Sequence, residues 1–136
     1  MSKLLLGMTV ISLAGFVACG GSDTDCAKGD KCVCDAAGSC EYNCVEAGCS
    51  FSASGAGDST FTCDDGGCSL NVTGTGTVTL SCKGGGCSVQ NAGTGTTSVD
   101  CAGGNCSVTC SGEGQCSVSN CSAGCSCTSS LTGPCL

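Results

Sequence analysis

From Cys44 onward the chain repeats itself every nineteen residues: "CVEAGCSFSASGAGDSTFT", "CDDGGCSLNVTGTGTVTLS", "CKGGGCSVQNAGTGTTSVD", then "CAGGNCSVTCSGEGQCSVS". Cys49, Cys68, Cys87, Cys106 and Cys125 keep the register, each followed by serine and set among matching glycines. A fixed period of this length marks a structural unit that cannot bury its own apolar face and must stack on its neighbours. Few architectures tolerate such a constraint.

Within each unit apolar and polar residues alternate with period two, and Thr, Ser and Val dominate, which is the pattern of strands separated by Gly-rich turns. In the second unit Cys68, Leu70 and Val72 point one way on a first strand, and Val78, Leu80 and Cys82 one way on a second, mirrored about Thr75. The same slots hold Phe51 with Phe61, Val89 with Val99 and Val108 with Val118. If one unit makes one circuit, equivalent residues stack about 4.8 Å apart in neighbouring coils. The expected fold is all-β: a small, tapering, disulfide-stapled β-solenoid of about four 19-residue coils. The alternative is an antiparallel β-meander with a hairpin around Gly74, Thr75 and Gly76. A meander has no need to hold every unit at nineteen residues, whereas stacked coils do.

The cysteines then acquire a reason. About fifteen large apolar side chains serve roughly 118 residues beyond the N-terminal segment. Such a core does not offset a conformational entropy near 1.5 kcal/mol per ordered residue. Cross-links are expected to supply much of the difference. The Cx4C pairs Cys44 with Cys49, Cys63 with Cys68, Cys82 with Cys87 and Cys101 with Cys106 each enclose a Gly-containing turn; pairing around the longer loop, Cys49 with Cys63, is the alternative. Cys110 and Cys116 occupy the inward slots held by Val72 and Val78 two coils earlier. They are expected to bond across the core.

The first eighteen residues, "MSKLLLGMTVISLAGFVA", place Lys3 before an apolar run too short for a comfortable membrane span, as an export signal does. The run ends in Phe16-Val17-Ala18-Cys19, which resembles the bacterial lipobox, with Phe16 standing where leucine is usual. That likeness implies a Cys19 carrying acyl chains such as palmitate, and two or more chains anchor stably. Removing Cys19 from the nineteen cysteines leaves an even eighteen in an oxidising compartment, the setting for disulfides. The rival is a thiolate metal cluster, for which Cys32-Val33-Cys34 and Cys125-Ser126-Cys127 supply CxC spacing. Export argues against it, and no metal site is assigned. The expected organisation is a signal peptide at 1–18, a lipidated Gly/Asp-rich tether or cap at 19–43, and a Cys-rich β-repeat domain at 44–136.

Function is bounded mostly by exclusion. There is no histidine, arginine or tryptophan. The usual general base and the bidentate phosphate clamp are therefore missing. Eleven carboxylates face four lysines, a net charge of −7, which disfavours nucleic acid as a partner. Asp64, Asp65 and Asp100 are candidate acids without an evident partner, and solvated turns are their plainer reading; no catalytic residue and no cofactor are assigned. The "GAGD" and "DDGG" stretches lack the regular calcium nonapeptide. Outward positions of successive second strands, Asp58, Thr60 and Thr62, then Thr77, Thr79 and Ser81, then Thr96, Ser98 and Asp100, form a hydroxyl array. That one face resembles the ice-binding faces of small cysteine-rich antifreeze proteins, although Ser and Thr also simply suit exposed strands.

The lipobox-like "FVAC" and the Gly-rich Cys-Ser units beginning at Gly66, Gly85 and Gly103 give the chain its overall likeness: it resembles cysteine-rich, repeat-containing bacterial lipoproteins of unassigned function. That resemblance implies extracytoplasmic residence in the cell envelope, on the outer membrane if the cell is Gram-negative. A structural or adhesive surface module is expected, held to the membrane through its lipid. An envelope or extracellular protein, or a polysaccharide, is its partner class. The alternatives are a Ser/Thr face binding a regular surface such as ice or polysaccharide, the latter wanting exposed aromatics for which only Tyr42 is a candidate, and thiolate metal sequestration.

Overall fold

The computed structural model describes residues 24–130, and every regular element among them is a strand. In chain order these are β1 (Thr24–Cys26), β2 (Lys31–Cys34), β3 (Cys40–Cys44), β4 (Ser50–Ala53), β5 (Ser59–Cys63), β6 (Ser69–Val72), β7 (Val78–Ser81), β8 (Ser88–Asn91), β9 (Thr97–Asp100), β10 (Ser107–Cys110), β11 (Cys116–Ser119) and β12 (Ser126–Ser129). Odd strands form one six-stranded sheet in the order β1-β3-β5-β7-β9-β11, and even strands a second in the order β12-β10-β8-β6-β4-β2. All neighbours are parallel. A hairpin would pair β6 with β7; instead β6 pairs with β4 and β8, and β7 with β5 and β9. The fold is a two-sided β-solenoid, not a meander.

Register follows the nineteen-residue period. Phe51 stacks on Leu70, then Val89, then Val108; Phe61 stacks on Leu80, then Val99, then Val118. Strands of 4–5 residues with buried and exposed positions alternating put these columns inside and the hydroxyls outside. The taper is chemical. Tyr42 lies parallel to Phe61 with centroids 6.2 Å apart, and Phe51 tilts against Phe61 at 4.7 Å. Toward the C-terminus the same column narrows to valine.

Two expectations are corrected. The solenoid has about six turns rather than four, since each sheet has six strands. The added turns lie largely in residues 24–43, read above as a tether or cap: β2 pairs with β4, and β1 and β5 flank β3. The reason is that cysteines fill inward slots there. Cys32 stands in the Phe51 column and Cys34 in the Ala53 column. Cys26 pairs with Cys44, a step of eighteen rather than nineteen (44 less 26), so the period is broken by one residue at that point.

Stacking dictates the narrow turns. A Cβ at Gly74 would lie 2.1 Å from the Gly55 carbonyl oxygen, and one at Gly76 would lie 2.1 Å from that of Gly57. No side chain fits in that space, because backbone rests on backbone there. The turns are then pinned coil to coil: Thr73 N–H donates to Ala53 O at 2.9 Å, and Val78 N–H to Thr96 O at 2.8 Å. Gly76→Ala is therefore expected to destabilise the fold by about 2–3 kcal/mol. Gly38→Ala, whose added Cβ meets nothing within 4 Å, should cost under about 0.5 kcal/mol. Guanidinium unfolding with the bridges intact measures both, and equal losses would contradict the stacking account.

Candidate functional site

The opposite corner of each coil is where the chain is cross-linked. Cys44–Cys49, Cys63–Cys68, Cys82–Cys87 and Cys101–Cys106 are bridged, with Cα–Cα distances of 5.9, 6.3, 6.4 and 6.3 Å, inside the ordinary range for a disulfide. The bridged turns need left-handed backbone: Gly66 and Gly67 have φ of 78° and 68°, and in the fourth corner Asn105 takes that conformation at φ 56°. Asparagine is among the few residues that tolerate it. Each bridge encloses a short loop and contributes about 2 kcal/mol in the chain-entropy model.

Cys110 and Cys116 are bonded to each other, Cα–Cα 6.4 Å, in the register of Val72 and Val78. Over five coils their column shows four solutions to one steric problem. It runs from the Cys34–Cys40 bridge, through Ala53 with Ser59 and Val72 with Val78, to Asn91 with Thr97 and the Cys110–Cys116 bridge. Asn91 is fully buried yet satisfied: its amide donates to Thr97 Oγ1 at 2.9 Å and Gly95 O at 3.1 Å, and its Oδ1 accepts Gly93 N–H at 2.8 Å.

The sequence reading did not pair Cys26–Cys32, Cys34–Cys40 or Cys121–Cys125. The second of these was legible, because stepping Cys34 and Cys40 forward two coils lands on Val72 and Val78. The first was hidden by the shortened corner, where Asp30 stands in place of a cysteine and Ser50 N–H donates to its carbonyl at 3.4 Å. All seventeen described cysteines are disulfide-bonded, Cys127 included. Cys19 lies outside the described residues.

The two outer faces differ in charge. The odd-strand face carries the hydroxyl array read from the sequence, in register, with Thr60 on Thr79 and Thr62 on Ser81. Acids interrupt it. Glu41 and Asp25 lie toward one end, Asp58 accepts Thr77 N–H at 3.1 Å, and a half-buried Asp100 keeps one carboxylate oxygen enclosed without a hydrogen bond. The even-strand face is the one the sequence reading missed. Its columns run Ser50, Ser69, Ser88, Ser107 and Ser126, then Ser52, Asn71, Gln90, Thr109 and Thr128. A third column, Ser54, Thr73, Ala92, Ser111 and Ser130, continues the ladder through backbone bonds to the coil before. From the second coil onward fourteen of these fifteen positions are hydrogen-bonding and none is charged; in the first coil the same columns begin with Lys31, Val33 and Asp35. The signal was in plain view, since serine follows the cysteine in every unit.

Asp64 sits in a corner turn, ion-paired to Lys83 at 3.1 Å; both side chains are more than half exposed, so the pair contributes under about 1 kcal/mol. Asp65 is exposed beside it. These acids are neighbours in a turn, while Asp100 belongs to a strand end on the odd-strand face. No protein-family model, curated protein or solved structure matches the chain.

Replacing Cys110 and Cys116 together by valine is expected to keep the fold at a cost of about 2 kcal/mol, the value of closing one short loop. Either single replacement should leave a reactive thiol and mispaired species on a peptide map. Loss of the fold in the double variant would mean that the bridge, rather than the filling of the slot, holds that coil.

Proposed function

We propose that the protein is a lipid-anchored module of the bacterial cell envelope that adheres through the even-strand face, uncharged from its second coil onward, to a hydroxyl-bearing surface, an uncharged polysaccharide being the partner class. The observation that carries this reading is the charge distribution: beyond a first coil that bears Lys31 and Asp35, a chain of net charge −7 keeps fifteen stacked outward positions of this face free of any charge. Acids elsewhere keep copies apart, and the neutral ladder offers donors and acceptors at a repeat of about 4.8 Å. Seventeen bonded cysteines suit an exported chain. The lipobox-like Phe16-Val17-Ala18-Cys19 supplies the anchor. Ice is the second reading, favoured by the same in-register hydroxyl columns.

Binding of the purified protein to insoluble uncharged polysaccharides should be nearly independent of salt, because no charge pair is involved. Ser88→Lys with Thr109→Lys, central on the even-strand face, should reduce it at least tenfold. Thr60→Lys with Thr79→Lys on the odd-strand face should leave it within about twofold. Loss with the second pair alone would move the site to the other face. Retention by ice, without polysaccharide binding, would select the second reading.

The anchor has a separate test. Cells fed a clickable fatty acid should label the protein, and Cys19→Ala should abolish the label. Undiminished labelling of the variant would remove lipidation at Cys19 from the reading.

A further inference from the structure

The corner bridges stack along one edge of the solenoid, and sulfurs of neighbouring coils come close. The Sγ atoms of Cys101, Cys106 and Cys125 lie within 4.8 Å of one another, two from one bridge and one from the next. Similar groups, Cys44 with Cys63 and Cys68 and Cys82 with Cys87 and Cys106, lie buried deeper in the stack. The last group is different because it reaches the surface: Cys101 and Cys106 are buried, Cys125 is half-buried, and its partner Cys121 is exposed. Among the stacked corner bridges a reductant therefore meets Cys121–Cys125 first.

We propose that this C-terminal corner is a reductively opened soft-metal site, in which Cys101, Cys106, Cys121 and Cys125 become thiolate ligands for one Zn2+ or a similarly thiophilic ion. A dithiol reductant gives two electrons and two protons to the Cys121–Cys125 bridge, leaving as its own cyclic disulfide and releasing two thiols. The Cys125 thiolate then attacks Cys106 of the adjacent bridge. A Cys106–Cys125 bond forms, the Cys101–Cys106 bond breaks, and Cys101 leaves as the thiolate. A second dithiol reduces the new bond, again with two electrons and two protons. Four thiols result, and metal binding displaces their four protons to solvent. Thiolate attack along the stack is how the buried bridge opens without being exposed itself.

The geometry then suits the ion. Four sulfurs at about 2.3 Å from Zn2+ in a tetrahedron stand roughly 3.8 Å apart. Cys125 Sγ, within 4.8 Å of both Cys101 and Cys106, needs to close by at most about an ångström, while the two sulfurs of each opened bridge separate from bonding distance to about 3.8 Å. The corner keeps its place without its bridges, because backbone bonds hold it: Cys101 N–H to Ser119 O at 2.9 Å, Asn105 N–H to Ala123 O at 2.7 Å and Ser126 N–H to Cys106 O at 2.9 Å. Soft thiolates select zinc, cadmium and Cu(I) over hard cations.

The test uses the whole chain, treated anaerobically with limiting dithiothreitol to four free thiols, freed of reductant by gel filtration, and titrated with Cd2+ alone. A thiolate-to-cadmium charge-transfer band should saturate at one ion per chain, with an unchanged β-sheet circular dichroism spectrum. Alkylation followed by peptide mapping should find Cys101, Cys106, Cys121 and Cys125 protected by the metal and the other bridges intact. Cys121→Ser with Cys125→Ser should weaken Cd2+ binding at least tenfold, while Cys26→Ser with Cys32→Ser, at the far end, should leave it unchanged. Four thiols appearing elsewhere, no stoichiometric band, or an undiminished band in the Cys121/Cys125 variant would each overturn the proposal.

Discussion

Everything in this molecule depends on parallel in-register stacking: from Lys31 onward each strand residue lies about 4.8 Å from its counterpart nineteen positions away in the neighbouring coil. Backbone hydrogen bonds impose that spacing, and they are indifferent to side-chain identity. Side chains must therefore be compatible with near-copies of themselves. Apolar groups comply readily, as the Phe51, Leu70, Val89, Val108 column does. Hydroxyls comply too, and Ser117 donates to Ser98 Oγ across one coil step at 3.2 Å. Like charges do not, since two unit charges at that distance repel by about 1 kcal/mol even in water. On the strands each acid is accordingly followed by a neutral residue: Glu41 by Thr60, Asp100 by Ser119. In a corner turn Asp64 is stacked on Lys83 instead.

The same constraint fixes how the interior is filled. A cross-section this thin admits three facing pairs per coil: a corner bridge, a central pair and a pair beside the narrow turn. The central pair shrinks from aromatic to valine along the axis, and the third pair is completed by whatever closes the gap. Valine against valine, asparagine hydrogen-bonded to threonine, and cystine are equivalent solutions there because the strand separation is set elsewhere, at glycine turns where carbonyl oxygens leave no room for a Cβ. The disulfides stabilise coils that contain too little apolar surface to hold themselves together. They do not determine the coil path.

How much of this could be read beforehand follows from the same physics. Between Cys44 and Ser119 the period is unbroken, so the inward columns and the bridge between Cys110 and Cys116 were legible from spacing alone. Apart from the Cys34–Cys40 pair the first coil was not, because Asp30 replaces a cysteine, the corner is one residue short, and cysteine substitutes for the hydrophobic residues that announce a strand. The last corner slips similarly: Asn120 occupies the slot of Cys101, in left-handed conformation at φ 53°, and the bridging cysteine moves to 121. The even-strand face went unread although serine follows the cysteine in every unit, because a repeated serine does not by itself announce a surface. Its meaning lies in the absence of charge over an area, which emerges only when coils are laid side by side.

The eight bridges between Cys26 and Cys125 each join residues four to six apart, and none crosses from one coil to the next. These eight cross-links stiffen each rung without tying the rungs together, so between Cys26 and Cys125 the coils are held to one another by hydrogen bonds and packing. Pulled from its ends, such a body yields rung by rung rather than all at once. A rung with a single corner bridge frees about fourteen residues, which extend to roughly 50 Å in place of the 4.8 Å they occupied. A rung with two bridges gives out less. Local covalent closure thus sets the length that each rung can release.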